Sequence, residues 1–497
     1  MHWRRYPESG MASSRISRDV VVPDSRQLAF TEQRRAWWNK AALSRPPFGA
    51  PRRAYDARVA QIYRNLIPPD RSVLEVGCGA GDLLAAVRPR RGVGVDFSEA
   101  MIARAEERHP ELTFVQADAH CFFLPETFDY IICSDLVNDL WDVQAVLENV
   151  RRHCHASSRV IVNLYSRVWE LPRRLAEAVG IARKLPPQSW LTTDDVTNLL
   201  YLADFEAIRT LPEILFPFPV PLLSRVLNKG VVKLWPFHFL SMTYFIVARP
   251  RPAQRPGPAP VVSVVVPARN EAGNIPAVFE RTPAMGAGTE LIFVEGHSSD
   301  DTYSAIEREI ARHPEVRASL LRQTGKGKGD AVRAGFAAAT GDLFMILDAD
   351  LTVAPEDLPR FFDAWWSGKA DYVNGVRLVY PMESHAMRFF NLLGNRFFSL
   401  AFSWLLGQRI KDTLCGTKVI SRGDYAVIAA NRAYFGEEDP FGDFDLIFGA
   451  ARYTLRFVDI PVRYRDRTYG TTNIHRWSHG WLLMRMLAKA LTRLKFT

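Results

Sequence analysis

The residue pair with the most pointed chemistry is Asp348 and Asp350. These two carboxylates sit at i and i+2, directly after the apolar run Leu343–Leu347 (LFMIL). Beyond a buried strand such a pair can hold a hard divalent cation through oxygen ligands, and a cation there would neutralise a leaving diphosphate. D-x-D alone is common; its weight here comes from what precedes it in order. Pro267-Ala268-Arg269-Asn270-Glu271 closes one apolar run, and Glu295-Gly296-His297-Ser298-Ser299-Asp300-Asp301-Thr302 follows another. Gly325-Lys326-Gly327-Lys328-Gly329-Asp330-Ala331 then opens a helix whose N-terminal amides favour phosphate. For Lys326 and Lys328 a solvated loop is the plain alternative.

A second constellation lies nearer the N-terminus. Gly77-Cys78-Gly79-Ala80-Gly81 follows the strand-like Ser72–Val76 and precedes a helix expected from about Asp82. Close glycines at such a turn let backbone N–H groups approach a ligand without Cβ clash. A second strand, Gly92–Val95, ends at Asp96, 19 residues after Gly77, near the ~20 at which an acid meets ribose hydroxyls in a nucleotide-binding βαβ unit. The third strand (Thr113–Gln116) ends at Asp118, placed to accept from an adenine amino group, and the fourth (Tyr130–Cys133) ends at Ser134-Asp135. Asn163, Tyr165 and Trp169, after a fifth strand at Val160–Asn163, either line an acceptor pocket or simply pack. Asp139, His153 and His155 are expected at the surface or as caps.

These motifs need elements to hold them. At 497 residues the chain is too long for one core and predicts two or three domains. Apolar residues are 47% and charged residues 24%, which excludes a disordered or collagen-like chain. No run approaches the roughly 18 apolar residues a membrane span needs. The five cysteines form no C-x-x-C pair and read as reduced, buried thiols of a cytosolic protein. The basic N-terminus lacks an apolar core and is not read as a secretory signal; Met11 is a second candidate start. The formal net charge of +9 favours phosphorylated substrates or anionic lipid, and no zinc-finger or RNA-binding aromatic signature supports nucleic acid. Residues 249–260 (RPRPAQRPGPAP) hold five prolines in twelve and predict a semi-rigid, solvated spacer. Each half then alternates short apolar strands with helical stretches, which predicts two α/β domains with mostly parallel sheets. The divisions expected are an extension over 1–53, a domain over 54–250, a linker over 251–260 and a second domain over 261–497. Residues 1–50 are expected to be irregular, with one helix near Thr31–Ala42. Leu211–Phe239, rich in Pro, Leu and Phe, is expected to pack over the first site, with a lipid-facing loop as the alternative.

E-V-G-C-G-A-G-D, G-V-D-F-S-E-A-M, Q-A-D-A and F-D-Y-I-I-C-S-D-L resemble the ordered motifs of class I S-adenosylmethionine-dependent methyltransferases, over about Ala54–Pro250. The resemblance implies a Rossmann-like doubly wound domain. In it Glu75, Gly77, Gly79 and Gly81 surround the methionine part of the cofactor, Asp96 holds the ribose, Asp118 and Ala119 the adenine, with Ser134 also in the cofactor site. Ser134-Asp135-Leu136-Val137 is not the N/D-P-P-Y/F pattern of enzymes that methylate adenine or glutamine nitrogen.

From Val261 onward the motifs resemble family 2 glycosyltransferases of the GT-A fold, most closely the dolichyl- and polyprenyl-phosphate mannose or glucose synthases. R-F-F-N-L-L-G-N-R-F-F-S-L-A-F-S-W-L-L-G, K-D-T-L-C-G-T-K and Y-R-D-R-T-Y-G-T-T-N add to that likeness. By resemblance, Pro267, Arg269, Asn270, Glu271 and Glu295 contact base and ribose. Lys328 and Arg467 reach phosphate, and Asp348 and Asp350 bind Mg²⁺ or Mn²⁺ and the diphosphate. Asp412, Thr413, Gly416 and Lys418 form an acceptor-side loop, with Asp412 among the catalytic candidates. The family's paired aspartates are Glu295-Gly296 here, its Gln after D-x-D is Thr352, and its closing G-x-S is Gly470-Thr471-Thr472. Transfer to a hydroxyl calls for a general base, with Asp443 and Asp445 as candidates; a lipid phosphate is already ionised and needs none.

Asn391, Asn395, Ser399, Ser403 and Gly407 recur every four residues as a polar stripe on an apolar helix expected over Met387–Gly407. After Asp466 the chain has no acid, and Arg485, Lys489 and Arg493 share one helical face. Both features suit an anionic membrane surface; core packing with a solvated face is the alternative. The expectation is a bifunctional transferase, peripheral on the cytoplasmic membrane face. It takes a nucleotide-sugar donor, a polyprenyl-phosphate or glycan acceptor and S-adenosylmethionine. The alternative is a glycosyltransferase with a non-catalytic S-adenosylmethionine-binding or docking module.

Overall fold

The computed structural model describes residues 25–43, 50–179, 184–377, 389–432, 443–465, 467, 469 and 484–496. Each half carries one seven-stranded sheet. The first is built from β1 (Ser72–Val76), β2 (Arg91–Asp96), β3 (Thr113–Gln116), β4 (Phe128–Ser134), β5 (Cys154–Tyr165), β6 (Phe205–Ile214) and β7 (Thr243–Pro250), in the order β3-β2-β1-β4-β5-β7-β6. Only β7 runs against its neighbours. The second is built from β8 (Val261–Ala268), β9 (Gly288–Glu295), β10 (Arg317–Arg322), β11 (Leu343–Ile346), β12 (Tyr372–Val376), β13 (Lys418–Ser421) and β14 (Phe457–Pro461), in the order β10-β9-β8-β11-β13-β12-β14. Here β13 is the reversed strand.

Both halves are therefore α/β and doubly wound, each with one antiparallel strand. The central strands read as unbroken apolar runs because helices cover both faces: every residue from Val262 to Val266 is buried. In both sheets the strand order turns back on itself beside the first strand, between β1 and β4 and between β8 and β11. Ligands of open α/β sheets bind at the carboxyl ends of strands flanking such a reversal.

Several expectations change. The N-terminal helix spans Ser25–Leu43, and a second, unforeseen helix spans Ala50–Leu66, so a boundary at residue 53 falls inside it. The first helix is not an appendage: Asn39 bonds Ser98 and Glu99, and Arg104 donates to the Ala42 carbonyl. Leu211–Phe239 packs only in part: Ile214 and Val232 are buried, while much of the rest faces outward. It forms the end of β6 and the helix Pro221–Lys229, and it turns outward Leu222, 77% exposed, and Trp235, 78% exposed.

The proline-rich stretch is not a solvated spacer throughout either, because it is pinned at both ends. Arg249 ends in a buried seam between the halves, where it meets Asp371, Glu206 and the Lys369 carbonyl. Arg255 lies over the Trp365 ring and donates to the Asp371 carboxylate at 3.1 Å. Arg159 of β5 closes the group, 2.5 Å from Asp371 and 2.9 Å from the Thr454 carbonyl. Burial alone would raise the Asp371 carboxyl; Arg159, Arg249 and Arg255 pull it down to about 2.

Removing one partner of such a group leaves buried charge uncompensated. Asp371→Ala is expected to cost about 3–5 kcal/mol, read as a lower urea-unfolding midpoint. Because the folded carboxyl lies below its unfolded value, its contribution is present above about pH 4 and is lost as pH falls towards 2. An unchanged midpoint in the variant would remove Asp371 as the tie between the halves.

Candidate active sites

The first site sits at the β1/β4 reversal. Gly77, Gly79 and Gly81 have φ of 75°, 51° and 75°, a conformation that other residues adopt only with strain. The turn lets the Gly79 amide donate to Asp96 Oδ2 at 2.9 Å, while Asp96 Oδ1 takes the Ser98 amide at 2.9 Å. Asp96 is thus more than a cap: it ties the glycine loop to the end of β2. Beneath the loop Glu75 is buried, which pushes its carboxyl well above the ordinary range, and its Oε2 has no hydrogen-bond partner in the structure. An orphaned buried acid beneath the glycine loop suits a ligand with a donating, positively charged group. Asp118 accepts from the His120 amide and faces its Nδ1 at 2.6 Å. Burial would raise its carboxyl, but those His120 bonds lower it. The Ala119 carbonyl accepts from Asn149, and Ser134 ends β4, half-buried. The structure therefore places Glu75, the glycines, Asp96, Asp118, Ala119 and Ser134 along one edge of the sheet.

Next to them is a cluster that sequence reasoning only half saw. Asp135 has φ 51°. Its Oδ1 accepts from Tyr55 at 2.7 Å and Asn163 at 2.5 Å, and its Oδ2 from Tyr165 at 3.1 Å. Arg52 donates to the Tyr165 hydroxyl at 3.1 Å. Burial pushes the Tyr165 phenol up to about 12, so it stays a donor at neutral pH. Tyr55 and Arg52 arrive on the helix Ala50–Leu66, where no local motif marked them. Trp169 instead donates to the Leu240 carbonyl, and Asp139 is held by Arg34 and Trp38. His153 is buried against Phe122, and His155 pairs with Asp129.

The second site sits at the β8/β11 reversal. Lys328, first residue of the helix Lys328–Ala338, forms an ion pair with Asp348. Burial would raise Asp348; Lys328 first, then Arg377 and Arg467, hold it below the usual range. A side chain at Gly416 would collide with this pair. Asp350 Oδ1 accepts from the Thr352 amide at 3.1 Å and its hydroxyl at 2.8 Å, so the threonine that replaces the family's glutamine braces the carboxylate. Arg467 reaches Asp350 Oδ2 at 2.5 Å and Glu271 at 3.4 Å. Burial above all raises the Glu271 carboxyl to about 7. Asn270, with φ 57°, accepts from the Ser299 amide at 2.8 Å, and Glu295 accepts from the Ser298 amide at 2.5 Å. Pro267 is half-buried at the end of β8 and Arg269 is exposed. The motifs of β8, β9 and β11 are thus knitted into one cleft.

Two candidates change role or place. Asp412 is 1% exposed. It accepts from Arg377 Nε, Nη2 and backbone at 2.7, 2.9 and 3.1 Å, and from the Leu414 amide at 3.0 Å. With both oxygens filled it cannot take a proton from an acceptor; it positions Arg377, which the sequence reading missed. Asp445 lies between Arg333 at 3.7 Å and Arg432 at 3.6 Å. Asp443 opens the helix Asp443–Arg452, and its side chain lies outside the described residues, as do Gly470, Thr471 and Thr472.

Residues 263–492 match the model of the glycosyl transferase family 2, and residues 73–157 match a methyltransferase domain model. The chain joins a methyltransferase domain to a family 2 glycosyltransferase domain. The glycosyltransferase domain is similar to the undecaprenyl-phosphate 4-deoxy-4-formamido-L-arabinose transferase of Klebsiella pneumoniae, 26% identical over 43% of this chain and 62% of that one. The Pseudomonas aeruginosa protein of the same description is 28% identical over 44% of this chain and 61% of its own. The chain thus spans about three fifths of the length of these curated relatives. Among solved structures, an S-adenosylmethionine-dependent methyltransferase from Mesorhizobium loti aligns at TM-score 0.31 and 18% identity, over 38% of this chain and 96% of its own. The N-methyltransferase NodS from Bradyrhizobium japonicum aligns at 0.31 and 15%, over 46% and 99%.

No described helix is long and apolar enough to cross a membrane. The glycosyltransferase domain's helix Phe389–Leu406 turns Ser399 and Ser403 inward onto the Ile410 backbone and exposes Phe397, Leu400 and Trp404. Asn391 and Asn395 have no described side chains. In the tail Met486, Leu487 and Ala490 are buried in the domain core, leaving Arg485 and Arg493 outside.

The Asp412 clamp has a readout that a general base lacks. Asp412→Ala leaves the buried Arg377 guanidinium unpaired and is expected to lower unfolding free energy by about 3–5 kcal/mol. Lost activity with unchanged stability would restore Asp412 as a base.

Proposed function

We propose that the glycosyltransferase domain moves a sugar from a nucleotide sugar to a polyprenyl phosphate, or to a glycan acceptor, with inversion at the sugar carbon. The methyltransferase domain binds S-adenosylmethionine and methylates a small-molecule, lipid or glycan acceptor. The carrying observation is the pairing of both D-x-D carboxylates with cations from distant segments, Lys328 on Asp348 and Arg467 on Asp350. A diphosphate entering the cleft can take over both cations and free both carboxylates.

The freed pair fits a hard divalent cation, Mg²⁺ or Mn²⁺. Such an ion would complete its shell with diphosphate oxygens and water and, when bound, would offset the charge developing on the leaving diphosphate. The chain's own part is positional and electrostatic. Lys328, Arg377 and Arg467 surround the diphosphate position with fixed positive charge, and Asn270, Glu271 and Glu295 frame the base and ribose. An acceptor phosphate is already a nucleophile near neutral pH, which agrees with an Asp445 carboxylate engaged by two arginines rather than poised as a base. The exposed apolar helix face and basic tail support a peripheral position on the cytoplasmic membrane face. At the methyl site the orphaned Glu75 carboxyl and the Asp96-tied loop support S-adenosylmethionine, whose ammonium and sulfonium suit a pocket rich in acids.

Two measurements test this reading. Asp350→Asn is expected to abolish sugar transfer from a nucleotide-sugar panel to polyprenyl phosphate while far-ultraviolet circular dichroism is unchanged; transfer that persists in EDTA would overturn the metal role. Asp96→Ala is expected to weaken S-adenosylmethionine binding to the full chain by about 1–3 kcal/mol, the cost of leaving buried polar groups unpaired. Calorimetry showing equal affinity would remove Asp96 from the cofactor site.

A further inference from the structure

The methyltransferase domain holds a cavity of about 140 Å³ between the helix Ala50–Leu66, the end of β6 and the helix Pro221–Lys229. Its walls combine two chemistries. Arg58, Arg225 and Lys229 supply positive charge, and Phe216, Pro217 and Phe218 supply apolar surface. Arg58 is nine-tenths buried; it bonds Gln61 and Glu213 at 2.9 Å each, and its Nε–H is left without an acceptor. Glu213 is already engaged by both Arg58 and Lys233. Arg58, Arg225 and Lys229 thus outnumber Glu213, the acid that pairs with Arg58 and is shared with Lys233.

The mouth of the cavity opens on exposed hydrocarbon. Arg225 and Lys229 lie four residues apart on one face of their helix. Leu222 and Val226, also four apart and exposed, form an adjacent stripe, with Leu223, Phe218 and Trp235 beside them. A helix with basic and apolar stripes side by side, at the rim of a positively charged hole, matches an anionic amphiphile. The cavity also shares Tyr55 with the Asp135 cluster beside the cofactor loop.

We propose that this cavity binds the phosphate head of a lipid, with the hydrocarbon chain lying along the apolar stripe of the helix Pro221–Lys229. Arg58, Arg225 and Lys229 would hold the phosphate oxygens through charge-assisted hydrogen bonds. A lipid held there would lie next to the methyl-transfer cleft, through the shared Tyr55. This is a second lipid-phosphate site, separate from the acceptor position proposed above.

Calorimetry on the full chain tests it with three probes: farnesyl phosphate, farnesol and inorganic phosphate. The expected result is two farnesyl phosphate sites per chain, and only one when Arg225→Glu and Lys229→Glu are combined; both positions are exposed or half-exposed, and circular dichroism checks the fold. Farnesol and inorganic phosphate are each expected to bind at least tenfold more weakly, since each carries half of the recognised chemistry. A single wild-type site lost in the double variant would keep this proposal and remove the acceptor reading of the glycosyltransferase domain. A site count untouched by the charge reversal would overturn the proposal. So would inorganic phosphate binding as tightly as farnesyl phosphate, which would mark a free-anion site.

Discussion

Asp371 is a carboxylate placed where water cannot reach it, at the junction of two sheets, with guanidinium groups from three segments around it. Taking such charges out of water costs several kcal/mol per ion, and only near-complete pairing offsets it. Arg159 belongs to β5, Arg249 to the end of β7 and Arg255 to the proline-rich segment. All must arrive together, so the seam has one low-energy arrangement. That arrangement ties β5 and β7 of the methyltransferase sheet to the residue that enters β12 and makes the linker part of the interface.

The two clefts solve their electrostatics in opposite ways. At the β1/β4 reversal the charge is acidic and only partly met: Glu75 is buried with an open oxygen, and Asp96 is satisfied by backbone amides rather than by cations. At the β8/β11 reversal Asp348, Asp350 and Glu271 are each met by a basic side chain. On the function proposed above, a diphosphate would redistribute those pairs, with Lys328 and Arg467 as its contacts. In both clefts the rigid part is a parallel strand end and the adaptable part is a loop, as open α/β sheets dictate.

Much of this was legible in the residues. An apolar run of β-branched residues is buried on both faces wherever it lies, so β1, β3, β8 and β11 appear within a residue of where the sequence puts them. A strand's end is marked by the first polar residue after the run, and Asp96, Asp118, Asp348 and Glu295 sit there. β6, β10 and β14 were harder, because their partly exposed residues, as in Arg317–Arg322, break the apolar signal, and β12 is buried throughout but its apolar run is broken by Asn374 and Gly375. The helix Ala50–Leu66 was missed for the same reason: its arginines and polar residues hide an apolar face that only the first sheet buries.

What the sequence by itself determined is order: which motifs end which strands, how the two halves divide, and which residue types could meet cofactor, sugar nucleotide and cation. These are local properties, set by period, by backbone permissiveness at glycine and by the polarity change at a strand end. What only the tertiary structure decided is pairing. Asp412 serves Arg377 rather than an acceptor, Thr352 braces Asp350, Tyr55 reaches Asp135, and the prolines of the linker flank an arginine that locks the halves together. Apart from the Thr352–Asp350 contact, each of these joins residues far apart in the chain. The free energy of a buried polar contact depends on whether its partner is present and dry, and composition and spacing do not carry that information.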